Sequence, residues 1–248
     1  MRLFDKIFGA RTEEKKIRAQ YKDAKYFMSQ IERCDRFIES DKQNEIEYLK
    51  SHDRLNSFHY LSSVTIRLKK IENIYSRGED INKLVIIFKE ATNFFSKGWS
   101  EHYQGYPLLL QMVSFAILLD VEDGEMKKIK DFLKKAEESS IEEIWKPDSL
   151  VYFLIGENTE RTGDTPYQKL YEISKLSKPE AESAIEKYLD KWYGMHKDDP
   201  WYNTHLRDKG YSGYWAWEVG AFVKVMGLDD SRFKDNIYYP YDMVHWKE

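Results

Sequence analysis

The segment from Leu108 to Leu119 constrains the fold more than any other stretch, because its residues are apolar on nearly every side. Pro107 stands just before it, and proline is favoured in the first turn of a helix. A helix without a polar face has to be surrounded by other elements, since none of its sides can face water at low cost. The segment therefore predicts a buried helix with several other helices packed around it.

Other segments repeat apolar residues every three or four positions, which is the period of an amphipathic helix. We predict helices over about 12–40, 42–76, 80–95, 126–138, 148–154, 167–176 and 179–193, and a last long helix within 211–227. No stretch alternates apolar and polar residues as a strand does, and 12 Gly and 6 Pro leave few sharp turns. The sequence therefore predicts an all-α fold, a bundle-like array of helices in two packed halves without a significant β-sheet.

The stretch DVEDGE, residues 120–125, interrupts the helical pattern directly after the apolar segment. The charge balance also changes sign there. Residues 1–119 carry 20 Lys and Arg against 16 Asp and Glu, whereas residues 120–248 carry 19 against 27. We therefore predict an N-terminal helical domain at 1–121 and a C-terminal helical domain at 122–248.

Charge and hydropathy restrict the cellular setting. An acidic second half is not what a nucleic-acid-binding protein presents, and no window of 18 residues is apolar enough to cross a membrane. Cys34 is the only cysteine, which excludes an internal disulfide. We expect a cytoplasmic protein without nucleic-acid or membrane partners. The alternative is a membrane-surface anchor formed by Leu3, Phe4, Ile7 and Phe8.

Common catalytic and ligand-binding motifs do not occur in the chain. The six His lack the spacing of zinc ligands, and neither a Gly-rich phosphate loop nor a G-x-S-x-G nucleophile motif is present. We therefore expect no metal and no cofactor. Glu218, a lone carboxylate within YSGYWAWEVGAFVKVMGLDD at 211–230, is either a catalytic acid or a paired structural group. No second carboxylate stands at a suggestive spacing, which favours the structural role.

The tail NIYYPYDMVHW, residues 236–246, is a second aromatic-rich segment. Pro240 disfavours a helix at Tyr239, so we predict an extended cluster there. Asp242 is suited to cap a short last turn. The cluster is either a strap that docks onto the last long helix, which we favour, or an exposed binding surface.

Three motifs follow one another in the second half: KYLDKWY at 187–193, YSGYWAWEVGAFVKVMGLDD at 211–230 and YYPYDMV at 238–244. Their order and spacing resemble the C-terminal domain of the PoNi immunity proteins. The resemblance covers about residues 180–246, and the first half is compatible with the family's helical partner domain. In the family the motif residues look like scaffold. Here they are Trp192, Tyr214, Trp215, Glu218, Asp229, Asp230, Tyr239, Pro240 and Asp242.

The resemblance implies an all-helical protein in two parts, without catalytic activity. PoNi proteins bind and neutralise a cognate polymorphic-toxin DNase of the PoNe type, which secretion systems such as type VI deliver between competing bacteria. The expected partner is therefore a nuclease toxin and not nucleic acid itself, while the oligomeric state stays open. The alternatives are a helical adaptor without a toxin partner and a hydrolase that uses Glu218.

An acidic surface is the electrostatic counterpart of a DNase, whose cleft has to be basic to bind phosphates. Residues 120–164 are the most acidic region, with 13 Asp and Glu against 7 Lys and Arg. An ordinary solvated surface is the alternative interpretation of this region. The partner-binding residues that we predict here are Glu137, Glu138, Glu142, Glu143, Glu157, Glu160 and Asp164.

Overall fold

The computed structural model of the chain describes residues 16–98, 105–138 (side chains to 134), 148–157 and 167–247. These ranges contain ten α-helices, one short 3-10 helix and no strand, which confirms the predicted all-α fold. The 3-10 helix spans Thr204–Leu206. The α-helices are α1 (Ala24–Leu49), α2 (Ser57–Ser76), α3 (Asn82–Phe95), α4 (Tyr106–Leu118), α5 (Asp123–Glu138), α6 (Ser149–Leu154), α7 (Gln168–Ile173), α8 (Lys178–Met195), α9 (Trp217–Met226) and α10 (Tyr241–Val244).

The apolar segment forms α4, with Pro107 in its first turn as predicted. Helices α3, α5, α6 and α9 pack around it, and α9 contributes the largest share of the contacts. Leu109, Met112, Val113 and Phe115 expose none of their side-chain surface. The prediction of a buried helix surrounded by other helices is therefore confirmed.

The first helix begins later than the apolar spacing predicted. Residues 16–23 are not helical, and α1 starts at Ala24 because the Asp23 carboxylate accepts a hydrogen bond from the Tyr26 backbone N–H at 2.8 Å. Tyr21, just before this cap, has a φ of 66° that a helix does not allow. The predicted start at 12 lies outside the described residues, as do Leu3, Phe4, Ile7 and Phe8.

The boundary between the first two helices also differs from the prediction. Helix α1 continues through residue 41 to Leu49, and the break falls at 50–56. Helix α2 then starts because the Asn56 side chain accepts a hydrogen bond from the backbone N–H of His59. The side-chain caps Asp23 and Asn56, which the apolar periodicity does not reveal, therefore determine where α1 and α2 begin.

The last long helix is shorter than predicted. Residues 211–216 are not helical, so α9 begins at Trp217, although it stops before Gly227 as expected. Trp215 consequently lies outside the helix, and its indole N–H donates to the Ser76 hydroxyl of α2 at 2.9 Å. The stretch 120–125, predicted as a break, instead supplies the first turn of α5 from Asp123 onwards.

The tail from 238 onwards ties the two ends of the chain together. Asp242, predicted as a helix cap, caps nothing, since α10 has no side-chain cap. Its carboxylate instead accepts a hydrogen bond from Arg18 Nε at 2.6 Å, because carbonyl oxygens of Tyr75 and Glu79 hold the guanidinium nearby. The indole N–H of Trp246 donates to the Leu118 carbonyl at the end of α4.

One core of buried apolar residues includes helices from before and after residue 121. Helix α4 precedes the predicted domain boundary and packs mainly on α9, which follows it. The division into 1–121 and 122–248 stays a prediction. Among the helices of the described ranges, none has both the length and the apolar composition that crossing a membrane requires.

Gly213 provides a test of how the 211–216 stretch is seated. Its φ is +98°, and a Cβ there would overlap with Trp215 Nε1 and Ser76 Oγ, whereas Gly210, with a φ of +94°, has nothing within 4 Å of an added Cβ. Both Gly→Ala variants introduce backbone strain, but only Gly213→Ala also introduces overlap. We expect Gly213→Ala to lose about 1–3 kcal/mol more unfolding free energy than Gly210→Ala. Urea denaturation measures both, and equal losses would contradict the packing described.

Candidate functional site

A cavity of about 160 Å³ lies between α2, α4, α8, α9 and the segment 201–217. Its walls consist largely of rings, and we call it the aromatic cavity. Polar groups from α2, α4 and α9 complete the lining, among them Lys69, Glu72, Gln111 and Glu218. The rings are those of Tyr167, Trp192, Trp201, Tyr214, Trp215 and Trp217.

The chain brings these rings together from distant positions. Trp192 lies on the last turns of α8, and the turn that follows the helix brings Trp201 back to stack on it, with centroids 5.3 Å apart and planes 20° apart. Tyr214, which lies on the non-helical 211–216 stretch, packs against Trp201 with ring centroids 5.6 Å apart. Trp217 is the first residue of α9, and its side chain is buried.

Glu218 lies in the first turn of α9, where the helix dipole favours a negative charge. Only 6% of its surface is exposed, and the indole N–H of Trp192 donates to its Oε1 at 2.6 Å. Burial raises the pKa of Glu218 to about 7, although the hydrogen bond from Trp192 opposes the shift. At neutral pH the carboxyl group is therefore about half protonated.

Two tyrosines, Tyr167 and Tyr188, lie close enough to Glu218 to interact with its charge. Burial raises the pKa of Tyr188 and of Tyr167, and the charge of Glu218 adds to the rise in both. The Tyr188 hydroxyl has no hydrogen-bond partner among the described residues. The surroundings of Glu218 are thus poor in groups that would stabilise its ionised form.

A second carboxylate, Glu72, lines the same cavity, although the spacing of the sequence did not indicate one. It extends from α2, and its Oε1 accepts a hydrogen bond from Gln111 at 2.6 Å. Its Oε2 accepts one from the Ser212 hydroxyl and pairs with Lys69 at 3.1 Å. Both oxygens of Glu72 are therefore engaged, which makes it a poor candidate for a general base.

A buried histidine adjoins the aromatic cavity. The ring of His196 lies 4.8 Å from that of Trp192 and 5.0 Å from that of Trp201, and burial lowers its pKa. Its Nδ1 lies 2.6 Å from an Asp199 oxygen, which only accepts, so Nδ1 carries the proton. In the neutral ring Nε2 is then an acceptor, and it has no partner among the described residues.

The remaining motif residues form contacts of the interior and of turns. Tyr239 donates to Asp230 at 2.8 Å, and His245 lies 2.7 Å from the same oxygen. Asp229 accepts from the backbone N–H of Ser231 in the turn after α9. That the motif residues act as scaffold stays a prediction, and these contacts are compatible with it.

Most of the predicted acidic contact surface lies outside the described part of the chain. Glu157 is described and is exposed at the end of the segment after α6. Glu137 and Glu138 lie on α5 beyond its described side chains. The others, Glu142, Glu143, Glu160 and Asp164, are outside the described residues.

Four of the described acids of this region are paired with lysines. The pairs are Asp120 with Lys247, Glu122 with Lys89, Glu125 with Lys128 and Asp131 with Lys127, at 2.7 to 3.2 Å. Exposed pairs of this kind contribute little stability but do neutralise the local charge. Within the described ranges, no group of three or more His, Cys, Asp or Glu could hold a metal ion.

Comparison with protein families gives two matches. The family model described as "PoNe immunity protein (PoNi), N-terminal" matches residues 13–131. The model described as "PoNe immunity proteins (PoNi), C-terminal" matches residues 147–243. The two matches together cover most of the chain, in the order N-terminal to C-terminal.

A solved structure shares the fold. The crystal structure of protein PA2201 from Pseudomonas aeruginosa superposes with a TM-score of 0.65 and covers 92% of this chain and 90% of its own. The two sequences are 15% identical, so the likeness concerns the fold alone. No curated protein matches the sequence.

The raised pKa of Glu218 links stability to pH. The folded state holds this proton more tightly than the unfolded chain, where the pKa is near 4.5, so Glu218 lowers the unfolding free energy as pH rises from about 4.5 through 7. Glu218→Gln keeps an acceptor for Trp192 and cannot ionise. We expect the variant to gain about 3 kcal/mol relative to the wild type between pH 4.5 and 8.

Denaturant unfolding of both proteins across this range measures the difference, in which the titration of other groups cancels. Glu172→Gln, which removes an exposed carboxylate on α7, is the matched control and should show no such trend. A difference between Glu218→Gln and wild type that does not change with pH would contradict the burial described here.

Proposed function

The chain belongs to the family of PoNe immunity proteins, and on this basis we propose that it protects a bacterial cell by binding and neutralising a nuclease toxin of the PoNe type. The observation that carries the proposal is the presence of both PoNi domains, in order, along one chain. Membership favours a toxin partner over a helical adaptor that has none. As the family resemblance implies, we place the protein in the cytoplasm of the protected cell.

The proposed mode of action is stoichiometric binding, without catalysis and without a cofactor. A hydrolase would need a free acid or base beside Glu218, and Glu72 is the carboxylate that shares its cavity. The bonds from Gln111, Ser212 and Lys69 engage Glu72, and Trp192 engages Glu218. These contacts support a role in binding or packing rather than in proton transfer.

We further propose that acidic residues face the basic cleft of the nuclease. Residues 137–164 carry 8 Asp and Glu against 2 Lys and Arg, whereas four of the five acids at 120–131 are paired with lysines. An excess negative charge speeds the encounter with a positively charged partner. The proposed contacts are Glu137, Glu138, Glu142, Glu143, Glu157, Glu160 and Asp164.

Stoichiometry separates binding from catalysis. When a cognate nuclease of the PoNe type is titrated with the protein, we expect its DNA cleavage to fall in proportion and to vanish near an equimolar ratio, because each inhibitor molecule occupies one nuclease. Plasmid-cleavage rates measure this directly. An enzyme would instead abolish cleavage at far lower ratios, with a loss that grows over time. Undiminished cleavage in the presence of excess protein would refute the proposed function.

The acidic surface is tested by reversing Glu138, Glu142 and Glu143 to Lys. We expect the association rate constant with the nuclease to fall by about tenfold or more at low ionic strength, because long-range attraction is lost. The difference from the wild type should shrink as salt is added, since salt screens charges beyond a Debye length of about 10 Å at 0.1 M. Stopped-flow fluorescence gives both rates.

The matched control reverses three exposed glutamates of α1 and changes the net charge by the same amount. If both triple variants slow association equally, the effect belongs to net charge and not to the proposed surface. An unchanged rate in the first variant would place the interface elsewhere. The control positions are Glu32, Glu39 and Glu47.

A further inference from the structure

The aromatic cavity combines ring faces with acidic oxygens. Glu218 and Glu72 both line it, next to four tryptophans and two tyrosines. Ring faces attract cations, and a flat guanidinium stacks on them while it donates hydrogen bonds to a carboxylate. We propose that the cavity receives an arginine side chain of the toxin, with its guanidinium between the rings and directed towards Glu218. This inference rests on the proposed function, which supplies the partner.

The size of the cavity fits this occupant. Its volume of about 160 Å³ is close to that of an engineered cavity of about 150 Å³ that binds benzene. A guanidinium with its adjoining methylene has one heavy atom fewer than benzene, so the cavity has room for it.

The cavity also has the access that a side chain from a docked partner needs. Pro107 is exposed, and Gln111 and Trp201 are partly exposed, whereas Trp192 and Glu218 are buried. One end of the cavity therefore lies near the surface and the carboxyl group lies at the buried end. Residues that fill such desolvated pockets supply most of the affinity in many interfaces.

The charges inside the cavity leave a place for a cation. Burial raises the pKa of Glu218, which means that its ionised form lacks a counter-charge. Lys69, the cation in the lining, pairs with Glu72 and is balanced there. An arginine stays protonated at any pH at which the protein folds, so it would supply the counter-charge for Glu218.

The Nε2 atom of His196 is a buried acceptor without a partner among the described residues, and it lies near two rings of the cavity although His196 does not line it. His196 is 2% exposed. The two tryptophan rings that its imidazole contacts, those of Trp192 and Trp201, both line the aromatic cavity. A buried acceptor without a donor costs free energy, and such atoms often mark a place where a ligand group binds. The fork of a guanidinium carries five N–H donors, enough for Glu218 and for a neighbouring acceptor.

A small-molecule probe tests the chemistry of the cavity. The indole N–H resonance of Trp192 is followed by NMR in the full chain while N-acetyl-L-arginine amide is added. We expect a saturable shift, and we expect none with the neutral isostere N-acetyl-L-citrulline amide. The shift should be lost in Glu218→Gln, which keeps the shape of the site. Equal shifts with both amides, or no saturable shift with either, would overturn the inference.

Binding of the nuclease to cavity variants tests whether the toxin supplies the arginine. We expect Trp201→Ala and Glu218→Gln each to weaken binding of the nuclease by about tenfold or more, as loss of a central anchor does. Leu206→Ala is the control, because this side chain is 74% exposed on the same segment and does not line the cavity. Calorimetric titration measures the affinities, and the thermal unfolding of each variant confirms that it is folded.

The possible failures are distinguishable. If the wild type binds the nuclease and Glu218→Gln and Trp201→Ala bind equally well, the anchor is wrong while the proposed function stands. If the wild type does not bind the nuclease, the proposed function fails, and the inference fails with it.

Discussion

The burial of α4 is the constraint on which the rest of this structure depends. Its apolar surface extends round nearly the whole helix, so neighbours have to cover most of its sides. Helix α9 covers the largest part, and the tail is fastened to the end of α4 through the bond from Trp246 to the Leu118 carbonyl. Because α4 comes from the first half of the chain and α9 from the second, its burial joins the two halves.

The junction of α4 with α2, α8 and α9 contains the aromatic cavity and a carboxyl group that burial leaves partly protonated at neutral pH. An apolar side chain of similar size at position 218 would avoid the cost of desolvating a charge. The contact with Trp192 offsets part of this cost. A partner that brings a positive charge to the cavity would offset more, which is the role in recognition that we propose for the carboxyl group.

The sequence was sufficient for the features that depend on local composition. The buried α4, the all-α fold and the start of α8 near Pro179 follow from apolar periodicity and from helix-start signals. The break at 50–56 was missed because the apolar spacing does not reveal the cap at Asn56. Residues 211–216 look helical by composition, but they are not helical, and the Ala216 N–H donates to the Tyr238 carbonyl, a partner that is not local.

The candidate site was predictable only in part. The motif residues Trp192, Tyr214, Trp215 and Glu218 all line the aromatic cavity. Glu218 was recognisable in the sequence as a lone carboxylate among aromatic and aliphatic residues. Glu72 and His196 belong to other elements, and only tertiary packing brings them near. Lysine pairing was equally invisible, since Asp120 pairs with Lys247, which lies 127 residues later in the chain. Composition therefore indicated the sign of the surface charge but not where it is neutralised.

The most direct measurement is a structure of the complex between this protein and its nuclease. The account predicts one nuclease molecule per chain, seated across the mouth of the aromatic cavity, with an arginine inserted towards Glu218 and its basic cleft facing residues 137–164. A nuclease bound with no arginine in the cavity and no contact with residues 137–164 would contradict it.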